Sequence, residues 1–187
     1  MTDSVGPIRI LAVNCSPTHG GKTRTALQGV LAGAEKAGAD TTVLELADHA
    51  GDYAPVLAAM NAVDAFVFGS PMYRAAYTAQ FKALMDSTPR GQWGETDAPL
   101  TGRAVLTVAT AASDHHLLGP GSMRDVLVDF FSAHLVSPGL YLTGQSFQDG
   151  ALKPEPAARA ELMGLALVEL ATAIRGSTGL RALTPNV

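Results

Sequence analysis

The chain predicts an α/β fold in which a parallel sheet of five strands is covered by helices on both faces. Two observations carry that expectation. Short apolar runs alternate with helical patterns from one end of the 187 residues to the other, which is the order a parallel sheet with crossover helices imposes. The runs are also nearly continuous in apolar residues, as strands buried on both faces must be.

The elements follow in order. Ile8 to Val13, Thr42 to Leu46, Ala65 to Phe68, Ala104 to Ala109 and a weaker run at Leu140 to Thr143 read as strands. Helical periodicity places helices near Thr23–Ala37, Pro55–Asn61, Thr78–Ser87, Met123–His134 and Pro156–Arg175. Right-handed crossovers then distribute these helices over both faces of a doubly wound sheet. No linker, repeat or low-complexity segment interrupts the series, so residues 1–187 are expected to form one domain. The longest irregular stretch, Thr88 to Thr101, contains Trp93; it is either a functional or interface element or a plain surface excursion.

Composition narrows the function classes. Hydrophobic residues make up 47% and charged residues 16%, enough apolar material for a sizeable core. A net charge of -4 without any run of Lys or Arg gives no footprint for nucleic acid. Apolar runs are cut by Gly, Pro or charge before reaching a membrane span, and no membrane partner is expected. The start, MTDSVGPIRI, lacks the pattern of a signal peptide, and the single cysteine, Cys15, has no internal partner; both readings suit a reducing cytoplasm.

Ligands of open parallel sheets bind beyond the carboxyl ends of the strands, so the first, third and fourth strand-to-helix turns matter most. The first turn, Asn14 to Thr25, carries Gly20 and Gly21 together with Ser16, Thr18, Lys22, Thr23, Arg24 and Thr25 at a helix start. Free backbone N–H groups, the positive end of the helix and several hydroxyls favour a phosphate there. Helix capping and chain reversal are the plainer account, but a cap needs one hydroxyl and this turn has several. The three spaced glycines of a dinucleotide fingerprint are missing. Gly21-Lys22-Thr23 matches only the end of a nucleoside-triphosphatase phosphate loop, because Ser16 stands at that motif's first glycine and strands three and four run out into Gly69-Ser70-Pro71 and Thr110-Ala111-Ala112 with no carboxylate at their ends.

The third turn reads Gly69-Ser70-Pro71-Met72-Tyr73-Arg74 and leads to Lys82-Ala83-Leu84-Met85-Asp86 in the next helix; the fourth reads Thr110-Ala111-Ala112-Ser113-Asp114-His115-His116. With the Asn-Cys-Ser-Pro of the first turn, the Ser-Pro-x-Tyr and Lys-x-x-x-Asp patterns make this sequence resemble the NADPH-dependent FMN reductases of the flavodoxin-like superfamily. It looks closest to the small flavin reductases that supply two-component alkanesulfonate monooxygenases. The resemblance runs from Ile8 to about His134 and thins to general topology beyond it.

The resemblance implies a flavodoxin-like fold and an NAD(P)H:FMN oxidoreductase using FMN with NADPH or NADH, assembled as a homodimer or homotetramer. By the family pattern Ser16, Thr18, Thr23 and Thr25 hold the phosphate, Pro71, Met72, Tyr73 and Arg74 line the ring, and Thr110, Ala111, Ala112 and Ser113 face its other side. A wall of proline, methionine and tyrosine suits a flat ring on physical grounds as well. Thr18 stands where the family usually has arginine, which implies that this contact is either missing or taken over by Lys22 or Arg24, and that FMN exchanges as a substrate. Ala111 and Ala112 stand where the family tends to have glycines. No catalytic acid or base is named, because the cofactor carries the chemistry. His115 and His116 read as an exposed pair rather than zinc ligands, for want of a Cys or carboxylate partner. Alternatives are a quinone, azo or chromate reductase with retained FMN, and a non-enzymatic electron carrier, against which the modest charge and Lys22, Arg24 and Arg74 weigh.

Overall fold

The computed structural model describes residues 6–49 and 51–185. The first five residues of the amino-terminal segment read above lie outside the described residues. The sheet is built from β1 (Arg9–Asn14), β2 (Asp40–Glu45), β3 (Ala65–Pro71), β4 (Ala104–Ala111), β5 (His134–Leu135) and β6 (Leu140–Thr143), all parallel. Strand order is β2-β1-β3-β4-β5, with β6 also pairing with β4. The fifth strand position is thus filled by two segments, of which only Leu140–Thr143 was expected from the sequence.

Both faces of the sheet are apolar because alternate residues of each strand enter separate cores. Ile10, Ala12, Val67, Leu106 and Val108 point to one core beneath α1 (Gly21–Lys36) and α5 (Pro154–Gly176). Leu11, Val13, Phe66, Phe68 and Val105 point to the other, beneath α2 (Ala54–Asn61), α3 (Ala79–Ser87) and α4 (Pro120–Asp125). Phe66 and Phe68 stack at 5.7 Å, and Phe81 of α3 meets Phe68 edge-on at 5.8 Å.

The helix expected over Met123–His134 is corrected at both ends. Pro120 opens it, its last turn (Val126–Phe130) widens to a π-helix, and Ser132 at φ 54° stops it. His134 belongs to β5, where its N–H donates to the Arg103 carbonyl at 2.8 Å. The irregular stretch Thr88 to Thr101 is pinned at Arg90: Glu95 Oε2 accepts its N–H at 2.8 Å, and its buried guanidinium lies 3.9 Å from the centre of the Phe130 ring and 4.7 Å from that of exposed Trp93. A short antiparallel pair, β7 (Phe147–Gln148) and β8 (Ala151–Leu152), precedes α5, and a last helical turn, α6 (Thr178–Arg181), follows it.

Helix α1 is seated by direct backbone approach. A Cβ built on Gly164 of α5 would lie 2.0 Å from the Val30 carbonyl oxygen, and one on Gly33 would lie 2.0 Å from that of Glu161. Gly69 of β3 plays the same part toward the sheet, since a Cβ there would come within 2.9 Å of Thr23 Cγ2. These contacts leave no room for a methyl group, and overpacking of this kind costs about 1–3 kcal/mol or more.

Gly164→Ala should therefore lose about 3 kcal/mol or fail to accumulate folded, whereas Gly176→Ala, where a Cβ meets nothing within 4 Å, should be neutral or slightly stabilising in urea unfolding. A pH-dependent test lies at the amino ends of β1 and β3. Burial raises the Asp64 carboxyl, but the Arg9 backbone N–H and the Arg175 and Arg9 charges outweigh it and hold it below its ordinary value. A depressed carboxyl stabilises the fold above its unfolded pKa, and that contribution is lost as pH falls through the folded one. Asp64→Asn should be less stable than the parent at neutral pH, with the gap closing below the usual carboxylate range.

Candidate functional site: a cleft at the carboxyl ends of β1, β3 and β4

The three turns singled out above converge at one end of the sheet. They line a cleft of about 560 Å³ with Ser16, Thr18, Gly20, Gly21, Lys22 and Thr23 from the first, Pro71 to Arg74 from the third, and Thr110, Ala111, Ala112 and His116 from the fourth. That size falls in the range of small-molecule and cofactor sites.

The first turn is fixed by buried Asn14. Its Oδ1 accepts the Ser16 N–H at 3.2 Å, and its Nδ2 donates to Glu45 Oε2 at 2.7 Å. Ser16 Oγ accepts the Thr18 N–H at 3.2 Å. The chain then passes through Gly20 and Gly21, both in the left-handed region at φ 66° and 70°, which glycine adopts freely. Helix α1 begins with Gly20 as its N-cap and with no side chain capping it. Thr23 and Thr25 therefore do not act as caps, and Gly21, Lys22 and Thr23 of the uncapped first turn line the cleft.

Thr23 is committed elsewhere than to the open space. Its hydroxyl meets that of Thr110 at 2.7 Å, both buried, tying the start of α1 to the end of β4. Thr25 lies outside the lining: its hydroxyl is directed at the Gly21 and Gly150 carbonyls. Arg24 also lies outside it, because Nη1 donates to Glu45 Oε1 at 2.9 Å. The two candidates for replacing the family's arginine thus separate. Lys22 lines the cleft, its Nζ 5.7 Å from the centre of the Phe147 ring, and forms no ion pair among the described residues.

The third turn forms the facing wall. The Met72 N–H donates to the Thr110 carbonyl at 2.7 Å, and its side chain is buried in the second core. Tyr73 and Arg74 are exposed. The Tyr73 N–H donates to the Ala76 carbonyl and the Ala76 N–H to that of Tyr73, closing a tight turn whose central residues, Arg74 and Ala75, sit at φ 51° and 62°. Two consecutive non-glycine residues in the left-handed region cost roughly 1–2 kcal/mol each. Behind the turn, Ser70 Oγ accepts the Thr78 N–H, and Thr78 Oγ1 donates to the Cys15 carbonyl while capping α3.

In the fourth turn Thr110, Ala111 and Ala112 reach the cleft, and Ser113 does not. The Ser113 carbonyl instead accepts the Tyr141 hydroxyl at 2.7 Å, turning the chain toward a single helical turn at Asp114–His116. His116, read from sequence as half of an exposed pair, lines the cleft and accepts the Ala75 N–H on Nδ1 at 2.9 Å. Gly20, Gly21 and His116 are lining residues that the sequence did not mark as contacts, whereas Lys22 was one of the two candidates for the arginine contact. The adjacent glycines were the legible signal for the first two, whereas nothing local marks His116. Cys15 is fully buried, and burial pushes its thiol far up, the setting of a packed structural cysteine and not of an exposed thiolate.

Solved structures share this architecture. The apo NADH:FMN oxidoreductase EmoB superposes with a TM-score of 0.71 at 22% identity, covering 94% of this chain and 95% of its own. A WrbA-like flavodoxin from Agrobacterium tumefaciens gives 0.70 at 18% identity, covering 89% and 98%. An oxidoreductase from Corynebacterium diphtheriae gives 0.66 at 24% identity, covering 91% and 99%. At these identities the likeness is one of fold, and the fold is flavodoxin-like. The family of NADPH-dependent FMN reductases matches residues 8–148, so the chain belongs to that family. The NADH-dependent FMN reductase SfnF of Pseudomonas putida is 36% identical over 101 residues, 54% of this chain, and the chain spans about half the length of that curated relative.

The Thr23–Thr110 contact is open to test by a double-mutant cycle. Thr110→Val should cost about 1–3 kcal/mol in urea unfolding, because it leaves the Thr23 hydroxyl buried without its partner. Adding Thr23→Val should cost less than the two single changes summed.

Proposed function

We propose that the chain is an NAD(P)H:FMN oxidoreductase whose cleft holds FMN with the phosphate at the start of α1 and the ring against Pro71 to Arg74. The observation that carries this reading is the donor set gathered at one end of the cleft: uncapped N–H groups of α1, the Ser16 and Thr18 hydroxyls, and Lys22, which has no ionic partner among the described residues. That set fits a phosphate dianion. When bound, the flavin supplies the hydride-accepting chemistry, and the nicotinamide is the donor.

The chain's own residues bind and orient. Lys22 and the α1 N–H groups place the phosphate, Pro71 and Tyr73 present a flat wall, and the Ala111–Ala112 backbone borders the opposite side. The Thr23–Thr110 hydrogen bond sets the distance between the phosphate end and the ring end. With Thr18 exposed and Arg24 tied to Glu45, Lys22 is the one cation lining the phosphate end among the described residues, and lysine lacks the planar two-pronged grip of arginine. This favours exchange of FMN and delivery of the reduced form to a partner monooxygenase. Exposed Tyr73, Leu117 and Leu118 beside the cleft support a homo-oligomer. Among the described residues no helix is long and apolar enough to cross a membrane, and the buried single thiol suits a reducing cytoplasm.

The protein should oxidise NADPH or NADH when FMN is supplied and show little oxidation with a quinone alone after dialysis. Lys22→Ala should raise the Kd for FMN about tenfold or more while leaving riboflavin, which lacks the phosphate, within about twofold in flavin fluorescence titrations. Equal losses for both flavins would remove the first turn as the phosphate site. Retention of stoichiometric flavin through dialysis would favour a quinone or azo reductase.

A further inference from the structure

We propose that His116 is a positioning residue for the flavin wall, holding the Tyr73–Ala76 turn in a left-handed conformation that its own sequence does not favour. The inference rests on the flavin reading of the cleft and extends it to a residue of the cleft lining whose ring accepts from the turn's backbone. Turns with two consecutive left-handed residues are normally built from Asn-Gly or Asp-Gly, and this one is built from Arg74-Ala75. Something outside the turn must offset that mismatch.

The described contacts supply it from one direction. The Ala75 N–H, which points away from the turn's own hydrogen bonds, donates to His116 Nδ1 at 2.9 Å. That role requires the neutral imidazole with its proton on Nε2. The segment behind it packs without clearance: a Cβ on Gly119 would lie 2.8 Å from the Ala75 carbonyl oxygen, and the Gly119 N–H donates back to the His116 carbonyl at 2.8 Å. Turn three and the helical turn at Asp114–His116 are therefore one unit, and the exposed Tyr73 ring is aimed by a residue more than forty positions away in sequence.

The mechanism makes a distinctive genetic prediction. Glycine occupies the left-handed region without strain, so Ala75→Gly should make the turn independent of His116. FMN affinity, measured by flavin fluorescence on the full chain, should fall about five- to tenfold in His116→Ala, as expected for one lost neutral hydrogen bond. His116→Asn, whose side-chain oxygen can accept where Nδ1 does, should stay within about twofold of the parent. In the Ala75→Gly background, His116→Ala should cost less than about twofold, and the exchange rate of the Ala75 amide, followed by NMR without flavin, should rise in His116→Ala alone. Parent-like FMN affinity in His116→Ala, or an undiminished loss in the Ala75→Gly background, overturns the proposal. A parent that binds no FMN overturns the flavin reading and the positioning role built on it, whereas unchanged Ala75 exchange in His116→Ala overturns the contact itself whatever the cleft binds.

Discussion

The seat of α1 is the constraint from which the rest of the structure follows. Gly33 and Gly164 let α1 and α5 meet backbone to backbone, and Gly69 lets α1 drop onto β3. With the helix that close, Thr23 in its first turn comes within hydrogen-bond distance of Thr110 at the end of β4. A methyl group at Gly33 or Gly164 would meet backbone at 2.0 Å and force α1 and α5 apart, and one at Gly69 would press on the Thr23 and Leu27 side chains. The amino end of α1 is then held over the carboxyl edge of the sheet, where its free N–H groups have a cleft to face.

The cleft is an assembly of turns locked to one another more than to solvent. Asn14 braces the first turn against β2 through Glu45, and Glu45 in turn draws Arg24 away from the opening. Ser70 and Thr78 tie the third turn to the first through the Cys15 carbonyl. Tyr141 holds the fourth turn from the sheet edge. Each bond joins residues from separate elements, so the site is rigid where it meets the sheet and exposed at Tyr73 and Arg74, where a large planar partner would enter. The left-handed turn at Arg74 and Ala75 is the single strained part of this wall, and strain kept at a cleft is a common property of functional sites.

Several hydroxyls and cations in the first turn look interchangeable in sequence, yet they divide sharply in space. Thr23 is a strut, Thr25 a surface link to Gly150, Arg24 an ion-pair partner, and Lys22 a side chain of the cleft. Helical spacing explains the division, because successive positions of α1 point about 100° apart and only some can face the cleft.

The sequence by itself determined the class of fold, the order of the elements and the three turns that build the cleft, because apolar alternation and strand-end chemistry are local properties. It also held an unread signal in Asp149-Gly150, which turns the β7–β8 pair at φ 49° and 82°. Tertiary structure alone decided which residues of those turns reach the opening. The end of the helix before β5 was one such decision, made when the His134 N–H found the carbonyl of Arg103, the residue just before β4. The place of His116 was another: its sequence neighbours say nothing of Ala75, and the two meet because β3 and β4 lie side by side and their turns must share the same space. Hydrogen bonds between distant elements are set by packing, and packing is the sum of the whole chain rather than of any segment in it.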